Sequence, residues 1–204
     1  AEVSCPITDL GTWEGIESQE LAERFYQAIR IAHIDTYRAT THNKGIFNGI
    51  DALVLATAND FRAIEACGHT YAARDGKYRS LSDCCIDEGV FHFWLEIPMN
   101  VGTVGGLTKQ HPMADFSLQL LGNPDATTLM EMIAVLGLAQ NFAAVRSLVT
   151  SGIQKGHMKM HLANMLSQLS ATDNQVEAAS QYFADRVVSF SALRTFLSDH
   201  PNQI

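Results

Sequence analysis

Leu129 to Val149 reads LMEMIAVLGLAQNFAAVRSLV and is the longest apolar stretch of this 204-residue chain. It is nearly long enough to span a membrane. Polar and charged residues interrupt it, however, at Glu131, Gln140, Asn141 and Arg146, and such side chains are costly in lipid. The stretch therefore predicts a buried helix in the core of a soluble protein.

Patterns on both sides of this stretch predict a helix-rich α+β fold. From Ser18, a plausible N-cap, apolar residues recur every three or four positions and predict a helix over about 19–33. Phe91 to Ile97 alternates, with its bulky apolar side chains on one face, and predicts a strand. Further helices are expected over about 60–73, 113–121, 157–169 and 174–198, whereas the short apolar run 50–57 fits either a strand or a helix.

Length and composition limit the organisation of the chain. At 22.4 kDa it can form one sizeable domain or one and a half, and the composition change near residue 151 is the candidate boundary. We therefore expect a larger domain over 1–150 and a small helical domain over 151–204. Because 47% of the residues are hydrophobic and 18% are charged, the chain is globular rather than disordered.

Charge and cysteine content exclude several classes of function. The formal net charge of −8 repels nucleic-acid phosphates and anionic lipids, and the basic residues form no patch, so we expect neither a nucleic-acid partner nor a membrane. The four cysteines form no C-x-x-C pair, which argues against a zinc ribbon or a thioredoxin-type site. Free thiols and the lack of a secretory signal pattern indicate a reducing compartment such as the cytoplasm.

Lys44, Asn48 and Asp60 are the first candidate site residues. On a helix, Lys44 and Asn48 lie one turn apart on the same face and can present a cation and an amide to one oxygen atom. Asp60 would lie near the opposite side of a continuous helix, so it can meet Lys44 only if the helix breaks between them. The alternative is a surface lysine and an aspartate that caps a helix.

Gly102, Gly105 and Gly106 lie between the predicted strand and the next predicted helix. Glycines in such a loop let the backbone approach a ligand and direct N–H groups at phosphate oxygens. The spacing G-x-x-G-G matches neither the G-x-G-x-x-G dinucleotide fingerprint nor a P-loop. A phosphate-binding loop and a tight structural turn therefore both remain open.

His157 and His161 are four residues apart on a predicted helix, a spacing also found for metal ligands. Met158 stands where a zincin has its glutamate base, and no third ligand is evident, so no metal is expected. Because His157 follows Gly156 at the start of the helix, an exposed imidazole there can act as a proton donor instead.

Several segments become specific when they are taken together and in order. They are RATTHNKGIFNG over 38–49, ATAND over 56–60, GTVGG over 102–106, GLAQN over 137–141 and GHM over 156–158. In this order they closely resemble the bacterial, class II form of the 3-hydroxy-3-methylglutaryl-coenzyme A (HMG-CoA) reductase family. The resemblance extends over about 17–161 and, more loosely, over the C-terminal helices.

The resemblance implies an oxidoreductase that interconverts HMG-CoA with mevalonate and CoA, in isoprenoid precursor metabolism, by two hydride transfers with NADH or NADPH. Lys44 would be the catalytic lysine that stabilises the oxyanion, and Asp60 the catalytic aspartate that keeps this lysine charged. His157 would protonate the departing CoA thiolate. Arg38 would pair with the free carboxylate of the substrate, and Asn48 would contact the reacting oxygen.

The glycine loop is similar to the family's second cofactor motif. This similarity implies that the nicotinamide cofactor is bound by Gly102, Thr103, Val104, Gly105 and Gly106. Leu107 occupies the third position of the family's Gly-Gly-Gly variant. Ala58 and Phe61 replace a glycine and a tryptophan that are common around the aspartate.

Other parts of the family pattern do not occur in this chain. Neither an E-N-V-x-G segment, which carries the catalytic glutamate, nor a D-A-M-G dinucleotide motif is present. The resemblance therefore implies the C-terminal portion of the enzyme: part of the large substrate-binding and dimerisation domain over 1–150, and a small mobile domain over 151–204 that carries His157. We expect it to be inactive without the N-terminal portion and to form a homodimer or a higher even oligomer. The alternative is a non-catalytic helical interaction module that retains the family sequence.

Overall fold

The computed structural model describes residues 1–184, 186 and 188–199, without the side chains of 107, 109 and 153–160. Two compact units divide the chain, Ala1–Thr150 and Ser151–Ile204. The elements of the first unit are β1 (Glu2–Pro6), a 3-10 turn (Ile7–Leu10), α1 (Ser18–Ile34), α2 (Thr36–Ala56), α3 (Phe61–Ala72), β2 (Ser82–Asp87), β3 (Val90–Leu95), α4 (Leu107–Gln110), α5 (Pro112–Leu120) and α6 (Ala126–Val149). Those of the second unit are α7 (Ile153–Gln168), α8 (Asp173–Tyr182) and α9 (Phe190–Asp199).

The strands form one antiparallel sheet in the order β1-β3-β2. Glu88 and Gly89 join β2 to β3 with φ values of 45° and 80°, and positive φ at both positions is what a two-residue hairpin turn requires. Phe91, Phe93 and Leu95 are buried, so the alternation predicted for this strand is confirmed. The strand ends two residues before the predicted Ile97.

Aromatic rings fill the space between the sheet and the helices. The ring of Phe25 on α1 packs edge-on against Phe91 and Phe93, with centroids 5.3 and 5.2 Å apart. Phe142 on α6 lies 5.3 Å from the same ring. Such edge-to-face pairs stabilise a core beyond the area that they bury. They place α1 and α6 on the same face of the sheet.

α2 and α6 approach each other closely because glycines remove the side chains between them. A Cβ atom at Gly49 would lie 2.8 Å from both the backbone oxygen of Leu136 and the Cβ of Gln140. A Cβ atom at Gly137 on the facing helix would lie 2.8 Å from Cγ1 of Ile50. Real Cβ atoms do not come this close to other atoms, so the two glycines permit this approach.

α6 passes the length and composition test for a membrane span, which no other helix of the described residues does; it has 24 residues and a mean hydropathy of 1.5. Core helices of soluble proteins pass the same test. Leu129 and Ile133 are buried, as predicted, but the side chain of Val135 is 58% exposed. The prediction of a buried helix therefore holds for one side of α6 only, because a core of this size covers one side.

The remaining helix predictions have mixed outcomes. The helix expected over 19–33 is confirmed as α1, but Glu17 rather than Ser18 occupies the N-cap position. The ambiguous run 50–57 belongs to a helix, the end of α2. The single helix predicted over 174–198 is wrong, since α8 and α9 divide this region. Ser189 supplies the physical reason, because its hydroxyl accepts a hydrogen bond from the N–H of Ala192 at 3.2 Å and so caps α9.

The second unit has a small apolar core of its own. Leu166 of α7, Ala179 of α8 and Leu193 of α9 are fully buried, and Phe183 packs with Phe196 at 5.7 Å between ring centroids. Thr172 and Gln175 form a capping box at the start of α8. This unit is thus a helical cluster with a defined interior.

We predict that Gly49→Ala lowers the free energy of unfolding of the first unit by about 1–3 kcal/mol, because the added methyl group must displace the backbone of α6. Gly45→Ala is the matched control. Its Cβ would meet Cβ of Ala144 at an ordinary 3.8 Å, so the gain in helix propensity, up to about 1 kcal/mol, should dominate. Urea unfolding can be followed by tryptophan fluorescence, since Trp13 and Trp94 both lie in this unit. If Gly49→Ala and Gly45→Ala changed the free energy of unfolding equally, the close contact between Gly49 and α6 would be contradicted.

Candidate functional site

Three of the candidate residues lie on α2, and two of them, Lys44 and Asn48, are on its exposed face. Asp35 caps this helix, and its side chain accepts a hydrogen bond from the N–H of Arg38 at 2.9 Å. The guanidinium of Arg38 is partly buried and donates to the hydroxyl of Thr41 at 3.0 Å, and burial lowers the pKa of this arginine. Lys44 and Asn48 are exposed one turn apart on the same face, as the spacing predicts.

The opposite side of α2 is anchored by two consecutive polar residues. Asn43 is fully buried; its amide donates to the backbone oxygen of Arg79 at 2.8 Å and accepts from the N–H of Leu81 at 3.0 Å. His42 is 2% exposed, and its Nε2 lies 2.7 Å from the hydroxyl of Ser82. These contacts fix the rotation of α2 about its own axis and therefore the direction that its exposed face takes.

The hydrogen bonds of His42 define its protonation. The Ser82 hydroxyl donates to Oδ1 of Asn141 at 2.7 Å, so Nε2 of His42 must carry the proton that Ser82 accepts. Nδ1 of His42 is buried without a hydrogen-bond partner among the described residues. Burial, assisted by the charges of Arg38 and His33, lowers the pKa of His42 to about 3. The imidazole is therefore neutral at physiological pH.

α2 ends in a turn that needs a left-handed residue. The N–H of Ala58 donates to the oxygen of Leu55 at 3.0 Å, and the N–H of Asn59 donates to the oxygen of Val54 at 2.9 Å, which is the hydrogen-bond pattern of a Schellman motif. Ala58 has a φ of 56°, a conformation that suits glycine and disfavours other L-residues by about 1–2 kcal/mol. The helix break that Lys44 and Asp60 require is therefore present.

Asp60 begins the next helix. Its carboxylate caps α3 by accepting hydrogen bonds from the N–H groups of Arg62 at 3.0 Å and Ala63 at 3.4 Å. The Arg62 guanidinium also donates to it from Nε at 3.1 Å and lowers the pKa of this exposed carboxyl, with help from the backbone N–H groups. Among the described residues Asp60 forms its ion pair with Arg62 and none with Lys44. Asp60 therefore caps a helix, which is the alternative role predicted for it from the sequence.

The glycine loop lies beside the turn that precedes Asp60. Nδ2 of Asn59 donates to the backbone oxygen of Gly102 at 3.1 Å, and Oδ1 of Asn59 accepts from the N–H of Gly102 at 2.8 Å. Gly105 and Gly106 have φ values of 81° and 55°, and a Cβ atom at either would meet nothing within 4 Å. The loop backbone is therefore exposed, and glycine is needed there for conformation rather than for space.

Not every candidate can be placed. Asn59 joins the loop over 102–106 to the Asp60 turn, and Lys44 and Asn48 share one face, but no described contact joins these two groups. His157 falls within α7, yet its side chain lies outside the described residues. In the part of the chain that the structure describes, no three His, Cys, Asp or Glu side chains are grouped to hold a metal ion.

The sequence reasoning missed residues that build the site without being reactive types. His42 and Asn43 lie in the quoted segment 38–49 and Ser82 lies outside all of the segments, and none of the three has a recognisable spacing. Asn59 lies in the quoted segment 56–60, but no role in the site was predicted for it. A polar residue directly after a predicted helix end could have indicated its role, because asparagine side chains commonly bond nearby backbone groups at turns.

Known proteins are similar to this chain over most of its length. The family model for hydroxymethylglutaryl-coenzyme A reductase matches residues 1–162. The 3-hydroxy-3-methylglutaryl-coenzyme A reductase of Archaeoglobus fulgidus is 48% identical over 163 residues, which are 79% of this chain and 37% of that protein. A probable reductase of Borreliella burgdorferi is 37% identical over 158 residues, which are 78% of this chain and 37% of that protein.

Solved structures agree with these matches. The 3-hydroxy-3-methylglutaryl-coenzyme A reductase from Streptococcus pneumoniae aligns with a TM-score of 0.70 at 38% identity, over 97% of this chain and 48% of that one. A class II reductase from the same organism, bound to NADPH in open conformations, has a TM-score of 0.70 at 38% identity and covers 98% of this chain and 49% of its own. The α+β prediction is confirmed, and the chain spans less than half the length of these relatives.

We predict that His42 makes the first unit sensitive to acid. Its pKa is about 3 in the fold and about 6.5 when unfolded, so the unfolded chain takes up the proton first as the pH falls. Its contribution to stability is complete above about pH 6.5 and decreases by about 1.4 kcal/mol per pH unit below it, or about 2 kcal/mol at pH 5.

His42→Gln keeps a donor for Ser82 but cannot be protonated, so this variant should lose less stability than the wild type between pH 7 and pH 5. Urea unfolding followed by tryptophan fluorescence at the two pH values measures the difference. Equal losses in the two proteins would contradict the assignment of a buried, neutral His42.

Proposed function

Because this chain belongs to the hydroxymethylglutaryl-coenzyme A reductase family, we propose that it forms the lysine- and aspartate-bearing part of an HMG-CoA reductase. The reaction interconverts HMG-CoA with mevalonate and CoA by two hydride transfers from a nicotinamide cofactor. Its chemistry requires a group that stabilises negative charge on the thioester oxygen, a proton donor for the CoA thiolate and a binding site for the substrate carboxylate.

One observation carries the proposal: α2 presents a cation and an amide on one exposed face, and the chain then turns directly into Asp60. Lys44 and Asn48 are exposed and have no hydrogen bond or ion pair among the described residues, so both remain able to bind a ligand. A helix whose opposite side is anchored by His42 and Asn43 starts both side chains from fixed positions on the same face. A cation and an amide donor directed to the same side suit an oxyanion.

Lys44 and Asp60 form the catalytic pair of this proposal. The ammonium group of Lys44 hydrogen-bonds the thioester oxygen and stabilises the oxyanion as hydride arrives at the carbon. Asp60 keeps the lysine charged and takes part in its proton network. The exposed carboxylate of Asp60 pairs with Arg62 and must gain Lys44 as a further partner when the site is assembled.

The other candidates have separate roles. Arg38 binds the free carboxylate of the substrate with its guanidinium group, a geometry that suits paired hydrogen bonds. Asn48 contacts the reacting oxygen beside Lys44. His157 protonates the CoA thiolate as it leaves, and because it belongs to α7 the proposal gives this step to the second unit.

The loop over 102–106 is the proposed contact for NADH or NADPH, which supplies the hydride when bound. Two features favour the loop for this role: its backbone is exposed, and no neighbouring atom fills the space beside Gly102, Gly105 and Gly106. A solved relative is described as bound to NADPH. In this proposal the residues that meet a 2′-phosphate belong to the N-terminal portion of the enzyme, so both cofactors are included.

The proposal includes the setting of the site. Residues 1–150 belong to a large substrate-binding and dimerisation domain, and 151–204 to a small mobile domain with the histidine. The glutamate and the dinucleotide motif come from an N-terminal portion of the enzyme, in keeping with a match to less than half of each relative. The assembly is a homodimer or a higher even oligomer in the cytoplasm, where the four cysteines, all free here, remain reduced.

We predict that Lys44→Ala lowers kcat for HMG-CoA reduction by about 100-fold or more, because the oxyanion loses its cation. The assay follows NADPH oxidation in a longer chain that includes the N-terminal portion. Lys77→Ala is the matched control: Lys77 is also an exposed lysine, but it donates to the backbone oxygen of Ile34. Its kcat should stay within about twofold of the wild type.

Unchanged turnover in the Lys44→Ala enzyme would refute this mechanism. Turnover by the 204-residue chain without added sequence would refute the part of the proposal that needs an N-terminal portion. If the wild-type longer chain does not oxidise NADPH with HMG-CoA, a non-catalytic interaction module that keeps the family sequence becomes the better description.

A further inference from the structure

Asn59 contacts two parts of the candidate site with one side chain. Its Nδ2 donates to the backbone oxygen of Gly102 at 3.1 Å, and its Oδ1 accepts from the backbone N–H of the same residue at 2.8 Å. The hydroxyl of Thr57 accepts from the same Nδ2 at 3.0 Å. The backbone oxygen of Thr57 is a third acceptor, 3.3 Å from this nitrogen. Because three oxygens surround the nitrogen and an N–H faces the oxygen, the orientation of this amide is fixed.

The backbone of Asn59 is fixed as well. Its N–H donates to the oxygen of Val54 at 2.9 Å and closes the end of α2. The left-handed conformation of Ala58 is what brings Asn59 to this position. The next residue, Asp60, caps α3. One residue therefore joins the end of α2, the start of α3 and the glycine loop.

The loop has few other attachments. In the part of the chain with described side chains, the backbone of residues 102–106 receives one further side-chain hydrogen bond, from the hydroxyl of Thr108 to the oxygen of Gly105 at 2.5 Å. Both Gly105 and Gly106 have the conformational freedom of glycine. Loss of the Asn59 contact would therefore release the start of the loop from the Asp60 turn.

We propose that Asn59 is a positioning residue that couples the glycine loop to Asp60 by pairing with both polar groups of Gly102. It holds the loop backbone at a set distance from the Asp60 carboxylate. A cofactor bound at the loop therefore keeps a fixed position relative to the proton network of Asp60. This inference rests on the proposed function, which assigns the cofactor to the loop and the proton network to Asp60.

The test measures steady-state kinetics of the longer chain carrying Asn59→Asp. The carboxylate can still accept from the N–H of Gly102, but it places an oxygen opposite the Gly102 oxygen where a donor stood. KM for NADPH should rise by about tenfold, with a lower kcat, while KM for HMG-CoA stays within about twofold, because the substrate contacts of α2 are untouched. A purely structural defect would not separate the two KM values in this way.

Asn123→Asp is the matched control. Asn123 ends the equivalent turn after α5, where its N–H donates to the oxygen of Leu118 at 2.8 Å. Its side chain makes no hydrogen bond to the described residues. The control should leave both KM values unchanged. Asn59→Ser, which retains a shorter polar group, replaces Asn59→Asp if that variant does not fold.

An active Asn59→Asp enzyme with an unchanged KM for NADPH overturns the proposal, and so does an equal change in the Asn123→Asp control. A wild-type enzyme that fails to oxidise NADPH refutes the proposed function instead. In that case hydrogen exchange of the Gly102 amide in the 204-residue chain decides the positioning role. At least tenfold faster exchange in Asn59→Ala than in the wild type supports the Asn59 contact, and unchanged exchange overturns it.

Discussion

The close contact between α2 and α6 is the constraint on which the candidate site depends. Gly49 and Gly137 let the two helices approach at a distance that no other residue would permit. Without this approach α2 would lie farther from α6, and His42 and Asn43 would lose their hydrogen-bond partners. The glycines lie within the quoted segments and act through their lack of a side chain, not through chemistry.

The contact determines which groups face outwards. One side of α2 is used by the glycine contact and by His42 and Asn43, which bond to β2 and the loop before it. The side that remains exposed carries Lys44 and Asn48. The hydrogen bonds of His42 and Asn43 favour one orientation of the helix, whereas an apolar surface alone would allow it to rotate. The chemistry of the site thus depends on residues that take no part in it.

Part of this arrangement could be predicted from the sequence. The α1 helix and the β3 strand were predicted because their apolar residues repeat with the period of the element. The strands β1 and β2 were missed, because β1 (EVSCP) is mostly exposed and β2 (SDCCID) lacks the alternating bulky apolar residues of β3. Contacts such as Asn59 with Gly102 were also missed, because they join residues far apart in the chain and no local pattern encodes them. The resemblance gave candidates for the reactive residues but not the residues that position them.

Native-state hydrogen exchange of the 204-residue chain tests the α2–α6 constraint most directly. If α2 is held by α6, the amides over 46–50 and over 138–141 should open with the same free energy, within about 1 kcal/mol, and only in the global unfolding of the first unit. Several kcal/mol less protection in α2 than in α6 would mean that α2 opens alone. That result would contradict the account.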